Sequence, residues 1–491
     1  MLKRIRPSLP VLALCVPLSG AQAASLQSAA AALHAADAKT LEFAGSGHWY
    51  QFGQAPVPGG AWPQFDVSSY AAAIDFQAPA ERVQLTRIQT IEPGRSRPAP
   101  TEQKLDWYVS GDKAWNVALA PNAQPGAAPS PTPAQATLEE RTAEIWGTPQ
   151  GFLKAALANG AQSRPDGDGV EVSFTLGGKY RYVGCIDAND RVDWIKTWID
   201  SPVLGDTLVE TRFKDYKDFA GVAFPGEITR LAGGYPVLHL HVSSAKLDQP
   251  VAVAVPANIA EAKPPAVVVK ADKIADGVYY LTGGTHHSVA VEQQDHWVLV
   301  EAPLNEERSL ALIQKLGELA PAKPIKYVVA THVHFDHAGG LRTLVDAGAT
   351  VVAQDADKAY FEKAWAEPRT IRPDKLSQSK KTPKFETWQD KHVLSDGRRS
   401  IEFHRLAGNG HSDDLGVIYL PAEKVLIEAD AFTPLAADAP LPKSPNPYSV
   451  NLLENIGKLK LDVKQIAALH GPRVTTLDDL RSAIGQPSLS Q

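Results

Sequence analysis

Residues 325–340 read Ile325-Lys326-Tyr327-Val328-Val329-Ala330-Thr331-His332-Val333-His334-Phe335-Asp336-His337-Ala338-Gly339-Gly340. The first six, apolar and rich in β-branched residues, predict a buried strand, Ile325 to Ala330. Three imidazoles and a carboxylate follow within the next six positions. In extended chain, side chains two apart share a side, so His332 and His334 can grip one ion together. The chain then turns toward a helix, and Asp336 and His337 can face a second ion. Gly339-Gly340 lets the backbone pack tightly behind them.

Outward from this stretch the pattern is layered α/β. Val278 to Leu281 and Ser288 to Val291 read as paired strands, and Trp297 to Glu301 as another. Asn305 is placed to cap a helix whose apolar face is Leu312, Ile313, Leu316 and Leu319. A second helix follows Gly339-Gly340, then a strand from Thr350 to Ala353. Strands alternating with helices indicate an α/β architecture. Three further ligand-type residues stand where strands hand over to loops, the usual position of α/β sites. His411 lies in Gly408-Asn409-Gly410-His411-Ser412-Asp413-Asp414. Asp430 follows the strand Val425 to Ala429, and His470 ends the strand Ile466 to Leu469.

The set resembles the metallo-β-lactamase-fold hydrolase superfamily over about residues 270 to 480. The H-x-H-x-D-H motif is complete as His332, His334, Asp336 and His337, and the later His, Asp and His fall in order on His411, Asp430 and His470. The resemblance implies a four-layer αββα sandwich. It implies one metal on His332, His334 and His411, a second on Asp336, His337 and His470, and Asp430 bridging the two. An Asp bridge in place of a Cys ligand implies the broader hydrolase members over the β-lactamases. An imidazole and carboxylate set without thiolate suits two Zn2+, with Fe or Mn as alternatives. The expected chemistry is attack by a metal-bridging hydroxide on an ester, lactone, amide or phosphoester-type bond, with Asp336 as the catalytic residue orienting or deprotonating the nucleophile. The alternatives are a β-lactam hydrolase of the same fold, or a non-catalytic periplasmic binding protein with a metal-stabilised domain. An oxygen- or redox-handling di-iron member is disfavoured, because neither an acidic second motif position nor a flavodoxin-like partner is present.

Other residues carry weaker signals. The pair His286-His287 lies in an early hairpin loop of the kind that approaches the metals, and His287 is the expected substrate contact there. Tyr448 and Asn451, just before the last helix, are further candidates to line the pocket. His239 and His241 alternate with Leu238, Leu240 and Val242, which reads as a solvated strand face. His404, inside a strand, reads as structural.

The N-terminal half reads differently. Val170, Val172 and Phe174 alternate with polar residues, and Tyr180 and Tyr182 continue beyond Gly177-Gly178, as in a hairpin. Strands are expected around Leu105 to Val109, Val192 to Trp198, Leu208 to Phe213 and Val237 to Val242, with a helix from Gln150 to Ala158. The five prolines between Pro121 and Ala136 predict a disordered loop. Tyr216 to Arg230 faintly resembles periplasmic lipoprotein-carrier-like half-barrels, which implies an apolar ligand or a partner for this domain. The expected division is a signal peptide at 1–23, a mostly antiparallel β accessory domain at 24–250, a Pro/Ala-rich linker at 251–269 and the α/β domain at 270–491.

The signal peptide reading rests on Lys3, Arg4 and Arg6, the apolar stretch Leu9 to Leu18 and the small-x-small site Ala21-Gln22-Ala23. It predicts a secreted, periplasmic protein. The stretch is shorter than the roughly 18–20 apolar residues of a spanning helix, so no transmembrane segment remains after cleavage. With 49 Lys+Arg against 55 Asp+Glu over 491 residues, the net charge is -6. That balance argues against nucleic acid as a partner and leaves a small-molecule substrate. Of two cysteines, Cys15 falls in the leader, so Cys185 has no intramolecular partner.

Overall fold

The computed structural model describes residues 24–118, 127–442 and 444–487. The signal peptide, and the part of the proline-rich loop at 119–126, lie outside the described residues.

Residues 40–247 build one 13-stranded antiparallel sheet. Its central strands are Thr40–Tyr50, Gln64–Asp75, Ala80–Gln89 and Tyr235–Leu247, and the first pairs with both the second and the last. Alternation places Val67, Tyr70, Ala72 and Ile74 of one strand in the core. Helices Leu26–Ala32, Leu138–Trp146 and Pro149–Ala158 share that core with the sheet. Thr148 caps the third helix by accepting from the Gly151 amide, with Pro149 in its first turn. The hairpin around Gly177-Gly178 forms between strands Gly169–Leu176 and Tyr180–Ile186. One expectation changes. Ser130–Pro133, within the stretch expected to be a disordered loop, is a strand at the sheet edge. An edge strand has one side unpaired, so Pro131 and Pro133 are tolerated there.

The C-terminal part is a four-layer αββα sandwich. A seven-stranded sheet from Lys270–Ala275 to Phe385–Trp388 faces a six-stranded sheet from Lys391–Ser395 to Thr475–Thr476. Between them lie Val289, Val291, Val298, Val300, Val329, Ile418, Ile427 and Ala467, all fully buried. Helices Glu306–Leu319, Leu341–Asp346 and Asp355–Ala366 cover the outer face of the first sheet, and Pro447–Lys458 and Leu477–Ala483 that of the second. Central strands such as Trp297–Val300 and Gly416–Leu420 are covered on both faces, which is why they are continuous apolar runs, while the edge strands Lys270–Ala275 and Lys391–Ser395 stay partly exposed. Asn305 caps its helix by accepting from the Arg308 amide.

The two parts are packed together. The tip of the hairpin Val192–Ser201/Gly205–Lys214 places Val203 in the core under the first sheet. Arg369, buried, donates to the Ser201 and Val203 carbonyls at 3.2 and 2.8 Å. Phe52 and Trp62 stack edge-on against Phe335, at 5.3 and 5.7 Å between ring centres. Among the described residues no helix is long and apolar enough to cross a membrane.

Candidate metal centre

Every ligand-type residue singled out in the C-terminal half converges at one end of the sandwich. His332 and His334 follow the strand Ile325–Val329, and His337 stands on the short helix Phe335–Ala338. His411, Asp430 and His470 arrive from the loops after Ser400–Arg405, Val425–Glu428 and Gln465–Ala468. Parallel pairing of Val425–Glu428 with Gln465–Ala468 brings Asp430 and His470 side by side.

Two groups of donor atoms result, each within 4.8 Å: His332, His334 and His411, and His286, Asp336, His337 and His470. Asp430 stands between them. Its Oδ2 lies 3.4 Å from His332 Nε2, 3.5 Å from His411 Nε2 and 2.8 Å from His337 Nε2. Its Oδ1 lies 3.1 Å from His470 Nε2. His332 Nε2, His334 Nδ1, His411 Nε2 and Asp430 Oδ2 are buried without a hydrogen-bond partner. Orphaned buried polar atoms are costly, and four aimed at one another are the signature of a cation site. The residues present therefore fit metal ions.

The electrostatics agree. Burial pushes His332 well below the usual imidazole range and His334 down to about 3, so both are neutral donors. Burial alone would raise the Asp336 carboxyl, but the hydrogen bond from His286 and the charge of His337 hold it well below the usual carboxylate range. For His337, burial is outweighed by the carboxylates of Glu301 and Asp430, which raise its pKa.

An outer layer fixes the rings. His337 Nδ1 contacts the buried Glu301 carboxylate, whose other oxygen takes the Thr331 hydroxyl. His332 Nδ1 lies 2.9 Å from Thr331 Oγ1. Glu428 accepts the amides of Ala431 and Phe432, clamping the turn that presents Asp430. Glu301 and Asp430 both have left-handed backbones, φ 65° and 61°, a strained state for such residues. Asp414 accepts the Val333 amide from beneath the motif.

The N-terminal part touches the same centre. His334 Nε2 donates to the Ala55 carbonyl at 3.0 Å, and Gln54 Nε2 donates to Asp336 Oδ1 at 2.7 Å. Gly53, at φ 81°, sits against the Phe335 ring where a Cβ would clash.

Of the loop pair, His286 faces the centre, with Nε2 3.1 Å from Asp336 Oδ2. His287 is buried and turned to the Gly471 carbonyl at 2.7 Å, with its ring on Tyr280. Tyr448 lies with its ring 5.5 Å from that of His411. Asn451 accepts from Asn409, whose own side chain takes the His411 amide, so it braces the ligand loop. His404 is buried beside Glu402 at 2.9 Å. His239 and His241 form a smaller group with Glu227 on the N-terminal sheet, away from this centre.

Glu301 and Gln54 are the members that sequence reading passed over; of the loop pair it favoured His287, whereas His286 is the one that reaches Asp336. Glu301 left one signal: an acidic residue closing the wholly apolar run Trp297–Val300. Gln54 left none, because its partner is 282 positions away.

The matches to known proteins bear on this part of the chain. Residues 281–461 match the family model described as the metallo-beta-lactamase superfamily. Among solved structures, the chain is similar to a metallo-beta-lactamase from Pontibacter korlensis, at 19% identity and TM-score 0.34, covering 43% of this chain and 95% of that one. It is similar to the metallo-beta-lactamase FIM-1 from Pseudomonas aeruginosa in its mono-zinc form, at 19% identity and TM-score 0.34, covering 45% and 96%. It is also similar to the rubredoxin oxygen:oxidoreductase of Desulfovibrio gigas, at 20% identity and TM-score 0.35, covering 44% and 59%. No curated protein matches the chain.

Proposed function

We propose that this protein is an exported, binuclear metal-dependent hydrolase of small molecules, acting on an ester, lactone, amide or phosphoester-type bond. The observation that carries this reading is the single carboxylate of Asp430 standing between two groups of converging imidazole and carboxylate donors. His332, His334 and His411 would hold one ion, Asp336, His337 and His470 the other, and Asp430 both. Two zinc ions are the best match to this donor set. Ions bound there supply Lewis acidity and lower the pKa of water toward neutrality.

The chain's own residues do the rest. Asp336 is the most exposed of the two carboxylate ligands, with 32% of its side chain accessible, so it faces the side from which substrate and water arrive. Its depressed pKa keeps it ionised, an acceptor that can orient the attacking water. His286 and Gln54 hold its two oxygens in place. The apolar packing of Phe52, Trp62 and Phe335 keeps bulk water from the back of the site.

The test pairs elemental analysis of the mature protein with a panel of chromogenic esters, lactones, β-lactams and phosphodiesters. Near two zinc ions per chain, and turnover of one class that Asp336→Ala abolishes, is the expected result. Turnover unchanged by Asp336→Ala, or no metal uptake after zinc is supplied, refutes the reading. An amino terminus near Ala24 on protein recovered from the periplasm tests export.

A further inference from the structure

The face of the N-terminal sheet turned away from its core gathers a second set of donors. In the strand Tyr235–Leu247, Leu238, Leu240 and Val242 are buried, which turns His239 and His241 to the opposite face. Pairing with Glu227–Ala232 sets Glu227 opposite His241, and pairing with Thr40–Tyr50 sets His48 opposite His239. Opposed residues share a face, so a glutamate and three imidazoles from three adjacent strands stand together. A bulge arranges this. The register that pairs Ala44 with Ser244 would carry His48 to Leu240, a core residue, but it slips between Ala44 and Gly45. The strands are drawn close at this point: a Cβ on Gly45 or Gly47 would strike the His241 or the His239 carbonyl.

The donor atoms converge. Glu227, His239 and His241 each offer one ligand atom within 4.8 Å of the others. Glu227 Oε1 lies 3.3 Å from His239 Nε2, yet that nitrogen is buried without a hydrogen bond. An imidazole nitrogen and a carboxylate oxygen this close, unbonded to each other, both face a point that a cation would fill. The His239 and His241 rings stand 4.9 Å apart and 56° from parallel. The His48 ring lies 6.2 Å from that of His239. Its Nδ1 is 3.2 Å from Asp66 Oδ1, which leaves Nε2 as the nitrogen for an ion. A carboxylate behind a ligating imidazole is the usual outer partner.

We propose that Glu227, His239 and His241, with His48 completing the shell, form a further metal site on the N-terminal sheet, separate from the centre at the end of the sandwich, that takes one divalent transition-metal ion. Imidazoles with a single carboxylate and no thiolate suit Zn2+, Ni2+ or Cu2+, whereas Ca2+ and Mg2+ call for oxygen ligands throughout. Because the ligands come from three adjacent strands, a bound ion clasps them together. With His241 exposed, the ion stays open to solvent and to exchange. The site owes nothing to the hydrolase reading, since it shares no residue with that centre.

The experiment follows zinc binding to the full chain by calorimetry, for the parent, His241→Ala and Glu227→Gln, each with the main centre intact and each with Asp430→Ala. His241→Ala is expected to remove one zinc equivalent relative to its parent in both backgrounds. The loss of affinity there should exceed the roughly 10- to 100-fold that removal of an outer partner costs. Glu227→Gln, which keeps the imidazoles, should weaken the same equivalent less. Cu2+ bound in place of zinc should show nitrogen hyperfine splitting in electron paramagnetic resonance that His241→Ala diminishes. By mass action, zinc should raise the melting temperature of the Asp430→Ala protein more than that of its His241→Ala derivative. Should His241→Ala melt early without metal, Glu227→Gln decides by the same difference. Zinc uptake equal in the variants and their parents, or saturating only in the millimolar range, would overturn the proposal. So would a loss seen only when Asp430 is intact, since the variant would then be acting through the other centre. If Asp430→Ala itself changes no zinc uptake, the reading of the main centre fails, and the His241→Ala difference still decides this site.

Discussion

Glu301 offers a sharp test of how the metal centre is held. Its side chain is 1% exposed, and both oxygens are engaged, one by His337 Nδ1 and the other by the Thr331 hydroxyl. It holds His337 of one donor group directly, and His332 of the other only through Thr331, whose hydroxyl lies 2.9 Å from His332 Nδ1. A hydrogen bond to a charged group contributes about 1.5–3 kcal/mol. Each 1.4 kcal/mol is about tenfold in affinity, and loss of such an outer partner typically costs about 10- to 100-fold in metal binding. Glu301→Gln keeps the shape and one acceptor but removes the charge, so the weaker of the two zinc affinities should fall about tenfold. Glu301→Ala also frees the ring, and the fall should approach about 100-fold. The assay is zinc titration against a chromophoric chelator, with circular dichroism and thermal melting to confirm that the fold persists. The His332–His334–His411 group, braced only through Thr331, should lose less. Unchanged affinities in a folded Glu301→Ala protein, or equal losses at both groups, would refute the reasoning.

Three further outcomes are expected. Burial, reinforced by Glu144, raises the Glu81 pKa well above its ordinary value. The folded chain then keeps a proton that the unfolded chain loses, so stability should fall as pH climbs above the usual carboxylate range; melting curves of Glu81→Gln from pH 5 to 8 should lack that decline, and parallel curves would contradict it. Arg369→Ala removes a buried cation that donates to Ser201 and Val203 across the two halves. A loss of about 3–5 kcal/mol and separation of one calorimetric transition into two are expected, and an unaltered single transition would count against the contact. Gln54→Ala, which strips a donor from Asp336, should cut kcat roughly tenfold with little change in melting temperature; a matching loss of stability would make Gln54 structural instead.

The chemistry of the centre was legible in the chain because ligand type and strand ends are local. His332, His334, Asp336 and His337 are neighbours in sequence, and Asp430 and His470 each follow an apolar run whose length and composition announce a strand. The α/β layering followed from the same apolar runs, and the cap at Asn305 from one side chain and its neighbours. The edge strand Ser130–Pro133 was hidden because proline forbids only internal pairing, and nothing local says which strand lies at an edge. His286 was separated from His287 only by the bridge of its backbone to His470, 184 residues away. The same holds for the wall that the N-terminal sheet gives the site. Gln54 and Ala55 carry no local mark of function, and they meet Asp336 and His334 only because the two halves of the chain fold against each other. Residue type and spacing determine which atoms are able to bind a metal. Long-range packing decides which of them point inward, which partners hold them, and which distant loops flank them.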